Sequence, residues 1–161
     1  LDFFTSKFAL TILSPAGGII KTSIYGSGIV NDRYIPHDIT LDNTGSVLTA
    51  VERSYKDANN ITRYEGLVVK YSPSGDSVWS KRIRENSNVI PFNIQVTGDN
   101  SIYISGQYPM SGSSCQFIQK MNPQGDSLWN FNTQGVNYWQ IGKYSKIDNS
   151  GNVYLVSEKT E

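Results

Sequence analysis

Two segments about fifty residues apart carry the same local instructions, and a weaker copy precedes them. Lys70-Tyr71-Ser72-Pro73-Ser74-Gly75-Asp76-Ser77-Val78-Trp79 is followed by Lys120-Met121-Asn122-Pro123-Gln124-Gly125-Asp126-Ser127-Leu128-Trp129, and Ile12-Leu13-Ser14-Pro15-Ala16-Gly17-Gly18-Ile19-Ile20 is the degenerate version, with Lys21 where the others have Trp. Self-similarity at this period is the mark of a repeat architecture, in which each unit is one small supersecondary structure. Proline sets φ early in the turn, and the glycine two residues later takes the left-handed position.

A second kind of turn alternates with the first. It reads Asp42-Asn43-Thr44-Gly45, Thr97-Gly98-Asp99-Asn100 and Asp148-Asn149-Ser150-Gly151. Apolar residues alternate on either side, such as Ile39 and Leu41 before and Val47 after, or Ile94 and Val96 before and Ile102 and Ile104 after. In the third copy Ile147 follows a polar Ser145, with Val153 and Leu155 beyond the turn. Period-two alternation around an Asn/Asp/Gly turn predicts a β-hairpin. Positive φ is expected at Gly45, Gly151 and Asn100.

With the second kind of hairpin called AB and the proline kind CD, the chain reads CD, AB-CD, AB-CD, AB. The expected boundaries are a CD hairpin over 7–26, full units over 35–84 and 90–132, and an AB hairpin over 138–157 that can latch with the first, all within one domain spanning 1–161. Tyr55–Thr62 is expected to be a polar excursion between B and C. Four antiparallel strands per unit of this size is a β-propeller blade, so the fold class is all-β, with about three blades' worth of strands.

These residues resemble the bacterial β-propeller repeat called SBBP. The resemblance follows the pattern I-x-[VL]-D-x-x-G-x-V-Y and then F-[IV]-x-K-x-[ND]-P-x-G-D-x-[LV]-W, from about Phe8 to Ser157. Departures are Lys21 for Trp, Asn100 for Gly, and Ser105-Gly106 set against Thr49-Ala50. The resemblance implies a secreted or cell-surface bacterial protein.

Closed propellers hold four to eight blades, so three cannot comfortably close alone. An open arc presents unpaired strand edges and bare blade faces. The expected partners are therefore the remaining blades of a larger propeller or a second copy of the same chain. A start at Leu1 reads as a mature, excised or partial chain.

Composition narrows the function. Lys plus Arg and Asp plus Glu balance at 14 each, so no bulk charge recruits nucleic acid. No apolar run approaches the length that spans a bilayer. One cysteine, Cys115, forbids an internal disulfide and reads as a buried thiol. A lone histidine, His37, leaves no zinc ligand set, and no cofactor motif is present. Asp42 and Asp148 open turns that superficially resemble calcium loops, but Arg53 and Lys159 stand where the distal Glu belongs, so turn capping is the expectation.

The segments leading into each A strand align as Arg33-Tyr34-Ile35-Pro36-His37, Asn88-Val89-Ile90-Pro91-Phe92 and Trp139-Gln140-Ile141-Gly142-Lys143. Tyr34, His37, Tyr138 and Trp139 differ between copies, so the scaffold does not dictate them. They are the candidate ligand-binding residues, suited to stacking on a sugar or to contact with a protein. The alternative is that the aromatics pack between blades and that His37 is structural. No catalytic or metal-binding residue is assigned. The expected function is a non-catalytic binding or scaffolding module recognising a glycan or a protein. The alternatives are a propeller-based lyase or hydrolase built around Asp32, His37 and Asp38, and a purely structural assembly element.

Overall fold

The computed structural model of the chain describes residues 5–84, 88–110, 113–133 and 139–160, which are all-β. Twelve strands follow in order: β1 (Phe8–Leu13), β2 (Ile19–Tyr25), β3 (Arg33–Leu41), β4 (Val47–Lys56), β5 (Thr62–Tyr71), β6 (Ser77–Ile83), β7 (Ile90–Val96), β8 (Ile102–Met110), β9 (Ser113–Met121), β10 (Ser127–Asn132), β11 (Trp139–Ile147) and β12 (Val153–Thr160). β3 to β6 form one antiparallel four-stranded blade, and β7 to β10 form the next. β1–β2 is a half-blade before them, and the β11–β12 hairpin is a half-blade after them. The chain is thus a partial ring of blades. Among the described residues the terminal half-blades lie in separate sheets and do not pair with each other.

The turns adopt the local geometry their residues require. Gly45 and Gly151 have φ of 80° and 83°, and Asn100 takes the same slot at 60°. The Pro-x-Gly turns carry Gly17, Gly75 and Gly125 at 82–83°. In both kinds of turn the first side chain accepts backbone N–H groups from across the reversal. Asp42 accepts from Thr44 and Ser46 at 2.9 Å, Asp148 from Ser150 and Asn152 at 2.9 Å, and Asn122 from Gln124 and Asp126. Asp42 and Asp148 therefore cap their turns. Tyr55–Thr62 is not an excursion from the sheet: β4 and β5 stay paired as far as Lys56 and Thr62, and only Asp57–Ile61 form the turn.

Strand alternation sends one set of side chains to each face of a blade, and both faces of the inner strands β4 and β5 are covered. Tyr34, Val47, Val51, Leu67, Val69 and Tyr71 bury one face against Phe8 and Leu10 of the preceding half-blade. Leu48, Ala50, Val68 and Ile83 bury the other against Ile94, Ile102, Ile104, Phe117 and Met121 of the following blade. The core is therefore a set of layers between blades.

Three devices recur at each junction. A one-residue bulge interrupts each A–B ladder at the same aligned position, leaving His37, Phe92 and Lys143 unpaired. The start of each A strand touches the start of the preceding C strand. Ser6 bridges Arg33 in parallel, Ser114 bridges Trp139 likewise, and between them the Asn88 side chain accepts the Tyr64 N–H at 3.1 Å. Finally, the Pro-x-Gly turn of each blade sits on the outer strand of the one before. A Cβ at Gly75 would lie 3.0 Å from Ile12 and 3.4 Å from the Lys21 stem, and one at Gly125 would lie 3.0 Å from the Trp79 ring. Asp76 pairs there with Lys21, and Asp126 with Lys81 at 3.3 Å. Lys21 thus replaces Trp79 with a cation that also serves the next turn's acid.

The ladders correct one alignment. Ser105 opposes Asn93 as Ala50 opposes Asp38, so Ser105-Gly106 matches Ala50-Val51 and not Thr49-Ala50.

Candidate functional site

Antiparallel blades place the starts of A and C and the ends of B and D together. On the first full blade this end gathers Asp32 before β3, Arg53 near the end of β4, Arg63 and Glu65 at the start of β5, and Arg82 near the end of β6. Arg53 is the hub. Its Nε and one terminal nitrogen donate to the two Asp32 carboxylate oxygens, both at 3.0 Å, and its other terminal nitrogen donates to Glu65 at 3.0 Å. Glu65 in turn forms an ion pair with Arg82 at 3.0 Å. The guanidinium also lies over the Tyr55 ring, 4.6 Å from its centroid, so it is fixed by face as well as by edge.

Asp32 is almost wholly buried, at 1% exposure. Burial alone would raise its pKa, but the forked bond from Arg53, the Ser27 hydroxyl and the Arg53 charge outweigh it and hold the carboxyl below its ordinary range. Burial would likewise lower the Arg53 pKa, and the Asp32 bond overcomes that and raises it. Both groups are locked in their charged forms.

Beside this network lies a cleft of about 250 Å³ where the first full blade meets the second. Tyr55, Arg63, Tyr64, Arg82 and Arg84 are among the residues that line it, together with the Glu65 carboxylate that Arg53 and Arg82 neutralise. Arg63 is anchored by one hydrogen bond from Nε to Asp57 at 2.8 Å, and Arg82 by an ion pair with Glu65, while both side chains remain substantially exposed. Arg84 lies 4.9 Å from the Tyr108 centroid, in a left-handed backbone conformation at φ 52° that turns the chain out of β6. The cleft therefore presents held guanidiniums and two tyrosines on one surface.

The sequence candidates are dispersed relative to it. Tyr34 is buried between blades, edge-on to Tyr25 at 5.7 Å between centroids, with its hydroxyl 3.4 Å from Asp32. His37 is a bulge residue; its Nε2 is 3.1 Å from Glu52, and its ring meets Phe92, the bulge residue of the next blade, edge-on at 5.5 Å. Tyr138 lies outside the described residues, and Trp139 is described only through its backbone pairing with Ser114 and Thr160. Asp32, His37 and Asp38 do not converge: Asp32 faces Arg53, His37 faces Glu52, and Asp38 accepts Asn93 Nδ2 at 2.8 Å and the Ile94 N–H at 2.9 Å in the next blade. Among the described residues no group of three or more His, Cys, Asp or Glu side chains is placed to hold a metal. Cys115 is buried in β9.

In the sequence Arg53 and Arg63 carry no site signal, because each sits inside an ordinary strand pattern, and Lys81-Arg82-Ile83-Arg84 reads as a charged outer edge that blocks edge-to-edge aggregation. The one visible feature is charge at strand ends: Arg53 and Arg63 flank the Asp57 turn, and Arg82 is in the last turn-proximal stretch of β6. Removing His37 should act mainly on folding. His37→Ala leaves the buried Glu52 carboxylate without this partner, so a loss of about 1–3 kcal/mol is expected in urea unfolding.

Comparison with protein-family models gave no match, and comparison with curated proteins gave no relative. The candidate site is thus defined by its own geometry, on an open arc of propeller-type blades.

Proposed function

We propose that the chain is a non-catalytic binding and scaffolding module, with the arginine-tyrosine cleft taking an acidic glycan. The single observation that carries this reading is the convergence of Arg63, Arg82 and Arg84 with Tyr55 and Tyr64 around one cleft. Among the described residues Arg63 donates its Nε–H to Asp57 and Arg82 is held by an ion pair with Glu65, which leaves fork donors for a carboxylate or sulfate. A tyrosine ring offers the flat apolar surface on which a sugar face stacks. Pre-anchored side chains reduce the entropy lost on binding. A secreted or cell-surface setting, and membership of the SBBP repeat family, belong to the same proposal and rest on the repeat pattern.

The enzyme alternative draws on the His37–Glu52 pair. It is weakened by the commitment of Asp32 and Asp38 to structural partners, which leaves no second acid-base group beside that pair in the trio named above.

The test is titration calorimetry with a hexagalacturonate and a neutral maltohexaose. Binding of the acidic oligosaccharide alone is expected, and combined Arg63→Gln and Arg82→Gln should weaken it at least about tenfold, the loss of one or two charge-assisted bonds. Equal binding of the neutral sugar, or unchanged affinity in the double variant, would remove the cleft from consideration.

A further inference from the structure

We propose that a second copy of this chain completes the open blade, β12 of one copy pairing antiparallel with β1 of the other. This deepens the scaffolding half of the function proposed above and is independent of the glycan cleft. Among the described residues of one chain, β12 has no strand on its outer edge, and neither has β1. In both full blades the B and C strands pair in one register: Val47 with Tyr71 and Ala50 with Val68, then Ile102 with Met121 and Ser105 with Ile118. Carried to the aligned positions, the same register sets Val153 opposite Leu13, Leu155 opposite Thr11 and Val156 opposite Leu10.

The bare side chains match the faces such a blade would bury. Leu13 is 56% exposed, although its counterparts Tyr71 and Met121 are fully buried. Tyr154 and Val156 are 56% and 63% exposed, while their counterparts Leu48, Ala50, Tyr103 and Ser105 are buried. Ile39 is 56% exposed where Ile94 and Ser145 are buried by the preceding blade. In the junctions that exist, Asp38 accepts the Ile94 N–H and Asn93 accepts the Ser145 hydroxyl. At the missing junction the corresponding pair is Tyr144, also exposed, and Ile39: an apolar contact replaces a polar one on both sides at once.

The outer strand shows the same matched change. Existing junctions join a lysine to the acid after the Pro-x-Gly turn, Lys21 to Asp76 and Lys81 to Asp126. On β10 the positions of Lys21 and Lys81 hold Trp129 and Phe131, both exposed, and the acid's position in the first turn is Gly18. Cation and acid are lost together, which is what two surfaces made for each other require. A second copy also fits the ring. The described residues of two copies hold 24 strands, twice twelve, which make six blades of four, within the four to eight of closed propellers.

Light scattering of the full chain at tens of micromolar should give twice the 17.9 kDa chain mass. Thr11→Cys with Leu155→Cys should oxidise to a covalent dimer, because directly opposed residues bring their Cβ atoms within disulfide reach. Leu155→Cys with Leu13→Cys, two residues out of register, should cross-link far less. Val156→Glu should weaken the dimer on the order of 100-fold by burying an unpaired charge, with folding of the monomer unchanged because Val156 is exposed there. A monomer at every concentration, an internal disulfide in the Thr11→Cys, Leu155→Cys variant, or open-ended growth in mass would each overturn the proposal. In those cases the faces would belong to self-closure or to other blades. None of these readouts depends on glycan binding, so the two proposals fail separately.

Discussion

Asp32→Ala is expected to lower the unfolding free energy by about 3–5 kcal/mol at pH 7, the range for removing one partner of a buried pair. The Arg53 guanidinium would keep Glu65 but lose both bonds to Asp32, and it cannot shed its proton to escape. The Ser27 and Tyr34 hydroxyls would lose their acceptor at the same place. Chemical denaturation with a two-state fit measures this directly. A loss under 1 kcal/mol would show that water takes over the role of the carboxylate.

The same variant carries a pH signature. The Asp32 pKa is depressed in the folded chain, so its contribution is fully present above the unfolded carboxylate value of about 3.9 and fades as pH falls through the lower folded value. The gap between the parent chain and Asp32→Ala should therefore hold from pH 7 to about 5 and shrink below about 4. A gap that stays constant into acid would mean that charge at Asp32 is not what matters.

Gly106→Val is expected to be more severe, with loss of about 4 kcal/mol or more, or no soluble product. A Cβ at Gly106 would stand 2.1 Å from the Ile90 carbonyl oxygen and 2.8 Å from the Pro91 Cα. These are backbone atoms of the paired strand at its bulge, and no rotamer change relieves them. Circular dichroism and thermal melting of the purified variant decide the matter. A native-like melting temperature would require the β7 bulge to shift, moving Phe92 away from His37. The aligned site in the preceding blade is Val51, a buried residue with its Cβ in place, so the same ladder position admits a side chain in one blade and forbids it in the next.

That contrast marks how far the chain could be read without coordinates. The reversals were legible because their physics is local: Pro73 and Gly75, or Asp42 and Gly45, meet the demands of φ and of a capping side chain within five residues. Strand alternation was legible for the same reason, since period two needs only neighbours along the chain. Tyr34 could be placed before a strand but not inside a core, because its burial depends on Tyr25 and Phe8 from a separate half-blade. His37 invited a functional reading as the lone histidine, yet its partner Glu52 is set by a one-residue bulge that leaves no strong residue signal.

From sequence alone came the twelve-strand order, the repeat and the half-blades at either end, because proline, glycine and asparagine act on the backbone that carries them. Tertiary structure alone decided that Arg53 joins Asp32 to Glu65, that Asp76 and Asp126 tie one blade to the last, and that three arginines share a cleft with two tyrosines. The reason is distance along the chain. Charges 12 to 55 residues apart meet only after strands pair within a blade and blades stack on one another, and both depend on which edges and faces each pleat offers, a property of the whole sheet and not of any segment.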